Sequence, residues 1–98
     1  GDLVFGAMAD KQIEEIGRLL LPRVARVRFT APAVERACPP DELAARLCGL
    51  APESSTAPSV ESALAAELAS ARTEPIIVAG SLYLVGEARD LLLSRRFE

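Results

Sequence analysis

The chain contains no histidine and no tryptophan, and its 98 residues include one tyrosine, one methionine and two cysteines. The absence of histidine removes the most frequent general base and the most frequent metal ligand of proteins. The two cysteines, Cys38 and Cys48, are too few and wrongly spaced for a zinc site or a disulfide framework. We therefore expect two reduced thiols in a cytoplasmic protein, and no metal or cofactor bound to this chain alone.

Excess positive charge, long apolar runs and an export signal are also lacking. The formal net charge is −3, so no basic field exists to attract nucleic acid. No apolar run reaches the length of about 18 residues that spans a membrane. The first residues, Gly1-Asp2-Leu3, lack the basic segment of a signal peptide and include no Met. We expect a chain that begins inside a longer protein or after a removed tag.

Apolar residues make up 50% of the chain, which excludes a disordered polar tail, and the length suits one domain. Apolar runs at 3–5 and 75–79 predict buried strands. Arginines alternate with apolar residues over 25–30, which predicts a strand with one solvated face near a sheet edge. The Ser- and Pro-rich stretch 51–58 is either a loop or a very short edge strand around Thr56.

Helical periodicity predicts four helices that alternate with these strands. Pro22 ends the first helix and Pro40 begins the second. The expected capping residues are Asp10, Gly49, Ser59 and Ser81. The expected apolar stripes are Ile13, Ile16 and Leu20; Leu43, Leu47 and Leu50; Val60, Leu64, Leu68 and Ala71; and Leu84, Val85, Ala88, Leu91 and Leu92.

The order β-α-β-α-(β)-α-β-α predicts an α/β fold, a Rossmann-like three-layer sandwich. Its sheet should be mainly parallel, with helices on both faces, because crossover helices join parallel strands. Ligands of such sheets bind beyond the carboxyl ends of the strands. Three turns follow strand ends here, at 6–11, 30–36 and 80–81, and they should converge on one edge if the strands are neighbours.

Three residues in these turns, and Tyr83 in the first turn of the last helix, are candidates for binding. Ser81, with the free amide groups of the last helix, could face a carboxylate or phosphate, or it could simply cap that helix. Lys11, the single lysine, could be selected for its compact ammonium group or be an ordinary exposed cation. Arg36 could pair with a carboxylate or be a solvated loop residue. Tyr83 could be packed or line the cleft.

Catalytic motifs are missing from the chain. It has no phosphate loop, no dinucleotide-binding fingerprint, no nucleophile elbow and no pair of nucleophile and base. The residues alone therefore indicate a binding domain that works with something else, and no catalytic residue is assigned.

Three segments resemble bacterial folylpolyglutamate synthases, which are often bifunctional with dihydrofolate synthase activity. Leu3–Lys11 looks like their stretch LVFGAMADKD, except that Gln12 replaces the Asp after the lysine. Thr30–Leu43 is similar to their segment TxPxxxRAxxPxxL. Ala79–Glu87 matches their element GSLYLVGE. The segments occur in the family's order and cover most of the chain, while 51–58 has no match.

The resemblance implies the smaller C-terminal domain of a Mur ligase superfamily enzyme, spanning 1–98. The family's first βα unit, with its DGAHNP motif, and its N-terminal ATPase domain are missing. The implied partners are that ATPase domain, glutamate, and folate or dihydropteroate. ATP and Mg²⁺ are implied as cofactors of the full-length ligase, which forms an amide bond through an acyl phosphate. This fragment alone should be inactive.

The resemblance also implies roles for particular residues. Lys11 and Ser81 match positions that bind the amino acid in related Mur ligases, while Arg36 and Tyr83 are weaker candidates for the same glutamate site. One alternative is another amino-acid ligase of the superfamily, against which the GSLYLVGE element argues. A further alternative is a non-catalytic α/β regulatory or partner-binding module.

Overall fold

The structure is a computed structural model that describes residues 1–9, 12–70 and 75–94. Strands and helices alternate along the chain, as the apolar runs and helical periodicity predict. In chain order the elements are β1 (Asp2–Phe5), α1 (Ile13–Leu20), a 3₁₀ turn (Leu21–Arg23), β2 (Arg26–Phe29), α2 (Pro40–Arg46), β3 (Glu53–Thr56), α3 (Val60–Ala69), β4 (Ile76–Ala79) and α4 (Leu82–Leu93).

The four strands form one sheet in the order β3-β2-β1-β4, and every neighbouring pair is parallel. In the register of the sheet, Leu3 of β1 lies opposite Val27 of β2 and Ile77 of β4. Helices α1 and α2 pack on one face, and α3 and α4 pack on the other. The predicted α/β three-layer sandwich with a parallel sheet is confirmed.

The face under α1 and α2 carries the larger apolar cluster. Phe5 and Phe29, opposite each other on β1 and β2, make an edge-to-face contact with ring centroids 6.2 Å apart. Gly17 lets α1 approach α2, because a Cβ at this position would lie 2.5 Å from Leu47 Cδ2. The opposite face is covered by apolar residues of α3 and α4 that pack on β1 and β4.

Strand β2 lies next to the edge strand of the sheet, as the sequence predicts, but its polar face is only partly solvated, because Arg26 is exposed while Arg28 and Thr30 are not. It pairs with β1 on one side and with β3 on the other, so β3 forms the edge. The stretch around Thr56 is therefore a short strand. Thr30 is fully buried, and Arg28 is covered by α3, where it forms an ion pair of 3.0 Å with the buried Glu67.

Two helix caps also differ from the prediction. Helix α1 begins at Ile13 with Gln12 at its N-cap, and no side chain bonds to this cap. Asp10, the expected cap, lies outside the described residues. Helix α2 ends with Leu47 at the C-cap, and Gly49 follows with a φ of +83° in the turn beyond it. The caps Ser59 and Ser81 are confirmed.

The apolar stripes of α3 and α4 are narrower than predicted. Leu68, Val85 and Leu92 are exposed rather than packed in the core. Glu67 takes the buried position beside Leu64 in α3, because its carboxylate meets Arg28 under the helix. Ala71, the last residue of the predicted stripe, lies outside the described residues.

The helices of the described ranges are short relative to a lipid bilayer. Among them, none is both long and apolar enough to cross a membrane.

Candidate functional site at the carboxyl edge of the sheet

Three loops meet at the carboxyl edge of the sheet, as the parallel arrangement predicts. They are 6–9 after β1, 30–38 after β2, and Gly80-Ser81 after β4. Gly6 N donates to Ala79 O at 3.4 Å, and Thr30 N donates to Phe5 O at 3.0 Å. The hydrogen bonds between the strands thus continue into the loops, so all three begin from one rigid platform.

The first two loops are also joined further from the sheet. Met8 and Ala37 form an isolated antiparallel bridge. On either side of it, Ala9 N donates to Arg36 O and Cys38 N donates to Ala7 O, both at 2.8 Å. The position of Met8 is therefore tied to the end of the 30–38 loop.

Gly80 makes the turn from β4 into α4. Its φ is +114°, in the region that side chains disfavour. A Cβ at this position would overlap the carbonyl oxygen of Gly6 and lie 3.1 Å from the ring of Phe5. Only glycine fits here without a shift of the backbone, which confirms the sharp turn that the sequence predicts.

Ser81 caps helix α4 at this turn. Its Oγ accepts hydrogen bonds from Tyr83 N at 3.2 Å and from Leu84 N at 3.4 Å. A serine hydroxyl has two acceptor positions and one proton, so these bonds leave the proton available for donation. Ser81 is thus a helix cap that can also donate one hydrogen bond to a ligand.

A cavity of about 350 Å³ opens next to this cap. Its wall is mostly apolar, and the Ser81 hydroxyl is a polar group at the helix end. The lining residues are Met8, Ile16, Gly80, Ser81, Leu82 and Tyr83. Tyr83, which could have been packed or in the cleft, lines this cavity, and 59% of it is exposed. We refer to this space as the Ser81 cavity.

Of the other two predicted site residues, the structure describes Arg36 alone. Lys11 lies outside the described residues. Arg36 is exposed and does not line the Ser81 cavity. Its backbone carbonyl is bonded to Ala9, one residue from Met8. The pairing of these cations with a substrate carboxylate stays a prediction.

Sequence reasoning missed two polar residues of this edge, Glu87 and Thr30. Glu87 Oε1, on α4, accepts from Ala33 N in the 30–38 loop at 2.8 Å. The Thr30 hydroxyl is buried and has no hydrogen-bond partner within the described ranges. A glutamate in a helix ordinarily faces water, so the element GSLYLVGE was the only signal for Glu87. Thr30 begins the segment similar to TxPxxxRAxxPxxL, but its alternation with arginines indicated a solvated face.

Both cysteines are free, as expected. Cys38 is buried next to the 6–9 loop, and burial, with a hydrogen bond to Glu42, raises the pKa of its thiol to about 11. The thiol is therefore protonated at neutral pH and is a poor nucleophile. In the part of the chain that is described, no cluster of three or more Cys, Asp and Glu side chains could hold a metal ion.

A second cavity, of about 220 Å³, lies between β2, β3 and α3. Its charged groups include Arg28 and Glu67, which bond to each other, and Glu53 at the sheet edge. Because its most buried charges are already paired, this cavity is a weaker candidate for a ligand than the Ser81 cavity.

Comparison of the chain with protein-family models, with curated proteins and with solved structures finds no match.

Proposed function

We propose that this chain is the C-terminal domain of a folylpolyglutamate/dihydrofolate synthase and that it holds the incoming glutamate at the Ser81 cavity. The single observation that carries this proposal is the geometry of the Gly80-Ser81 turn. The serine caps α4 and lines a cavity at the carboxyl edge of a parallel sheet. The three family-like segments supply the substrate and the reaction.

A carboxylate suits this position for two physical reasons. The Ser81 hydroxyl retains one proton that it can donate to a carboxylate oxygen. The N-terminus of α4, a helix of 12 residues, carries the positive end of the helix dipole. By the resemblance, Lys11 adds an ammonium group from the neighbouring loop, and Arg36 and Tyr83 are weaker contributors.

The proposed reaction joins the amino group of glutamate to a carboxyl group of folate or dihydropteroate. ATP supplies the phosphoryl group that converts this carboxyl into an acyl phosphate, from which phosphate then leaves. This chain contributes by orienting glutamate, whose amino group must meet the activated carbonyl. By the resemblance, ATP and Mg²⁺ bind mainly to the N-terminal ATPase domain of the full-length enzyme. The enzyme would act in the cytoplasm.

The test compares two serines that both cap helices. In the full-length enzyme, Ser81→Ala should raise the KM for glutamate by about 10- to 150-fold, because the glutamate carboxylate loses a hydrogen bond. The KM for ATP should change much less. Ser59→Ala is the matched control, because Ser59 caps α3 with bonds to Ser62 and lines none of the Ser81 cavity. It should destabilise the fold without changing the glutamate KM.

Two results would count against the proposal. If the wild-type enzyme released no phosphate in response to folate and glutamate, the assignment of function would be wrong. If Ser81→Ala kept the wild-type KM for glutamate, Ser81 would be a helix cap only. Other amino acids in place of glutamate test the alternative of a different superfamily ligase, and Lys11→Ala tests the predicted ammonium group.

A further inference from the structure

Helix α4 contacts the carboxyl edge at two points, Ser81 at its cap and Glu87 in its interior. The Glu87 carboxylate accepts from Ala33 N at 2.8 Å, across 54 residues of sequence. A hydrogen bond from a backbone amide to a carboxylate is charge-assisted and stronger than a neutral one. This bond ties the 30–38 loop to α4 at Ala33.

Two backbone hydrogen bonds within the 30–38 loop connect the region of Ala33 to Ala37. Val34 N donates to Pro32 O at 2.8 Å, and Ala37 N donates to Val34 O at 3.2 Å. These bonds close two consecutive tight turns, over residues 32–34 and 34–37. The two turns restrict the backbone torsions of this segment, so a shift at Ala33 has few free torsions in which to be absorbed before Ala37.

The far end of the segment is bridged to Met8. Ala37 pairs with Met8, and the flanking bonds from Ala9 N to Arg36 O and from Cys38 N to Ala7 O are both 2.8 Å. Met8 lines the Ser81 cavity together with Ser81 and Tyr83. One wall of the cavity thus belongs to α4 itself, and the opposite loop is connected to α4 through Glu87.

We propose that Glu87 is a positioning residue that sets the Met8 wall of the Ser81 cavity through the 30–38 loop. Glu87 does not line the cavity. It keeps the Met8 wall at a fixed distance from the Ser81 cap, so the cavity moves with α4 as one body. This inference concerns the shape of the cavity and holds for any ligand there; its kinetic consequence alone rests on the proposed function.

The single methionine of the chain makes the proposal directly measurable. With ¹³C-methyl methionine, the 98-residue chain gives one Met8 methyl resonance. In Glu87→Ala, we expect that resonance to shift and the Ala33 amide to exchange about 10-fold faster. Glu87→Gln, whose amide oxygen still accepts, should give a smaller change in the same direction. If Glu87→Ala fails to fold, the Gln variant carries the test.

Asp90→Ala is the matched control, since Asp90 is an exposed acid of the same helix that lies 4.0 Å from Arg89 Nη1. It should leave both signals unchanged. The proposal is overturned if the Met8 methyl resonance in the Glu87 variants coincides with that of wild type, or if Asp90→Ala shifts it equally.

In the full-length enzyme, Glu87→Ala should raise the glutamate KM by about 3- to 10-fold with kcat within about 2-fold, because a loosened wall weakens binding. Glu87→Gln should restore most of the affinity. A wild-type enzyme without glutamate-dependent turnover would refute the proposed function, while the Met8 resonance would still decide the role of Glu87. An unchanged KM in an active Glu87→Ala enzyme would overturn the kinetic consequence, because the Met8 wall would then not contribute to glutamate binding.

Discussion

Gly80 and Gly6 approach so closely that a Cβ on Gly80 would overlap the carbonyl oxygen of Gly6. This contact joins the turn before α4 to the loop after β1, and it brings the Ser81 cap beside Met8. Gly86, in the middle of α4, contrasts with it, because a Cβ there meets no atom within 4 Å. Gly80 therefore leaves no room for a side chain, whereas Gly86 has room for one.

The first prediction uses this contrast. Gly80→Ala should lower the free energy of unfolding by about 2–4 kcal/mol, since it combines a disfavoured backbone angle with a steric overlap. Gly86→Ala should raise it by about 0.5–1 kcal/mol, because alanine loses less entropy in a helix. Urea unfolding of both variants measures the difference. Equal stabilities of the two variants would contradict the turn geometry.

A second prediction concerns the ion pair between α1 and α2. Arg46 bonds to both Glu14 oxygens, at 2.6 and 2.7 Å, and the Arg46 hydrogen bond lowers the pKa of Glu14 from 4.5 to about 2. Because the pKa of Glu14 is lower in the folded state, the ionised carboxylate stabilises the fold at pH values above 4.5, its pKa in the unfolded chain. This contribution is lost as the pH falls from 4.5 toward 2.

Glu14→Gln should therefore be less stable than wild type at pH 7, and the difference should disappear near pH 2. The effect is small because both side chains are partly exposed, and added salt should reduce it. Glu15→Gln, an exposed residue of the same helix, is the control. Urea unfolding across this pH range would contradict the assignment if the Glu14 difference stayed constant.

The fold was largely predictable because the helices and three of the four strands have a local signal. Strands β1 and β4 contain apolar runs, and in β2 apolar residues alternate with arginines. Pro22 and Pro40 mark the end of one helix and the start of another, and Ser59 and Ser81 cap two more. The edge strand β3 carries no such signal, since all four residues of Glu53–Thr56 are polar and exposed. It is held by its parallel pairing with β2. This pairing depends on tertiary structure and cannot be predicted from the local sequence.

The site was predictable only in part. Ser81 was identified because a Gly-Ser pair after an apolar strand marks a strand-to-helix turn. The link from Glu87 to Ala33 spans 54 residues and depends on how α4 lies across the sheet. The same holds for Arg28 and Glu67, which come from β2 and α3 and meet between the layers. Such tertiary contacts leave no periodicity in the sequence.

The pair of Arg28 and Glu67 gives a third prediction. Glu67 is 3% exposed at its side chain and bonds to Arg28 at 3.0 Å. Arg28→Met should lower the free energy of unfolding by about 2–4 kcal/mol, because a buried carboxylate loses its guanidinium. Arg89→Met, at an exposed position of α4, should change it by less than about 0.5 kcal/mol. Thermal unfolding of the two variants checks this, and equal losses would contradict a buried pair.

The last prediction separates the two thiols by burial and pKa. Cys48 is exposed, whereas Cys38 is buried with its pKa raised to about 11. A thiol reagent at pH 8 should therefore modify one thiol rapidly and the other only as fast as the protein opens, because attack needs an accessible thiolate. Cys48→Ser should remove the fast phase, and Cys38→Ser should leave it intact. Denaturant should bring the reactivity of Cys38 up to that of Cys48. Two fast thiols in the native wild-type chain would mean that Cys38 is not buried in solution, and that the neighbouring bridge between Met8 and Ala37 is open.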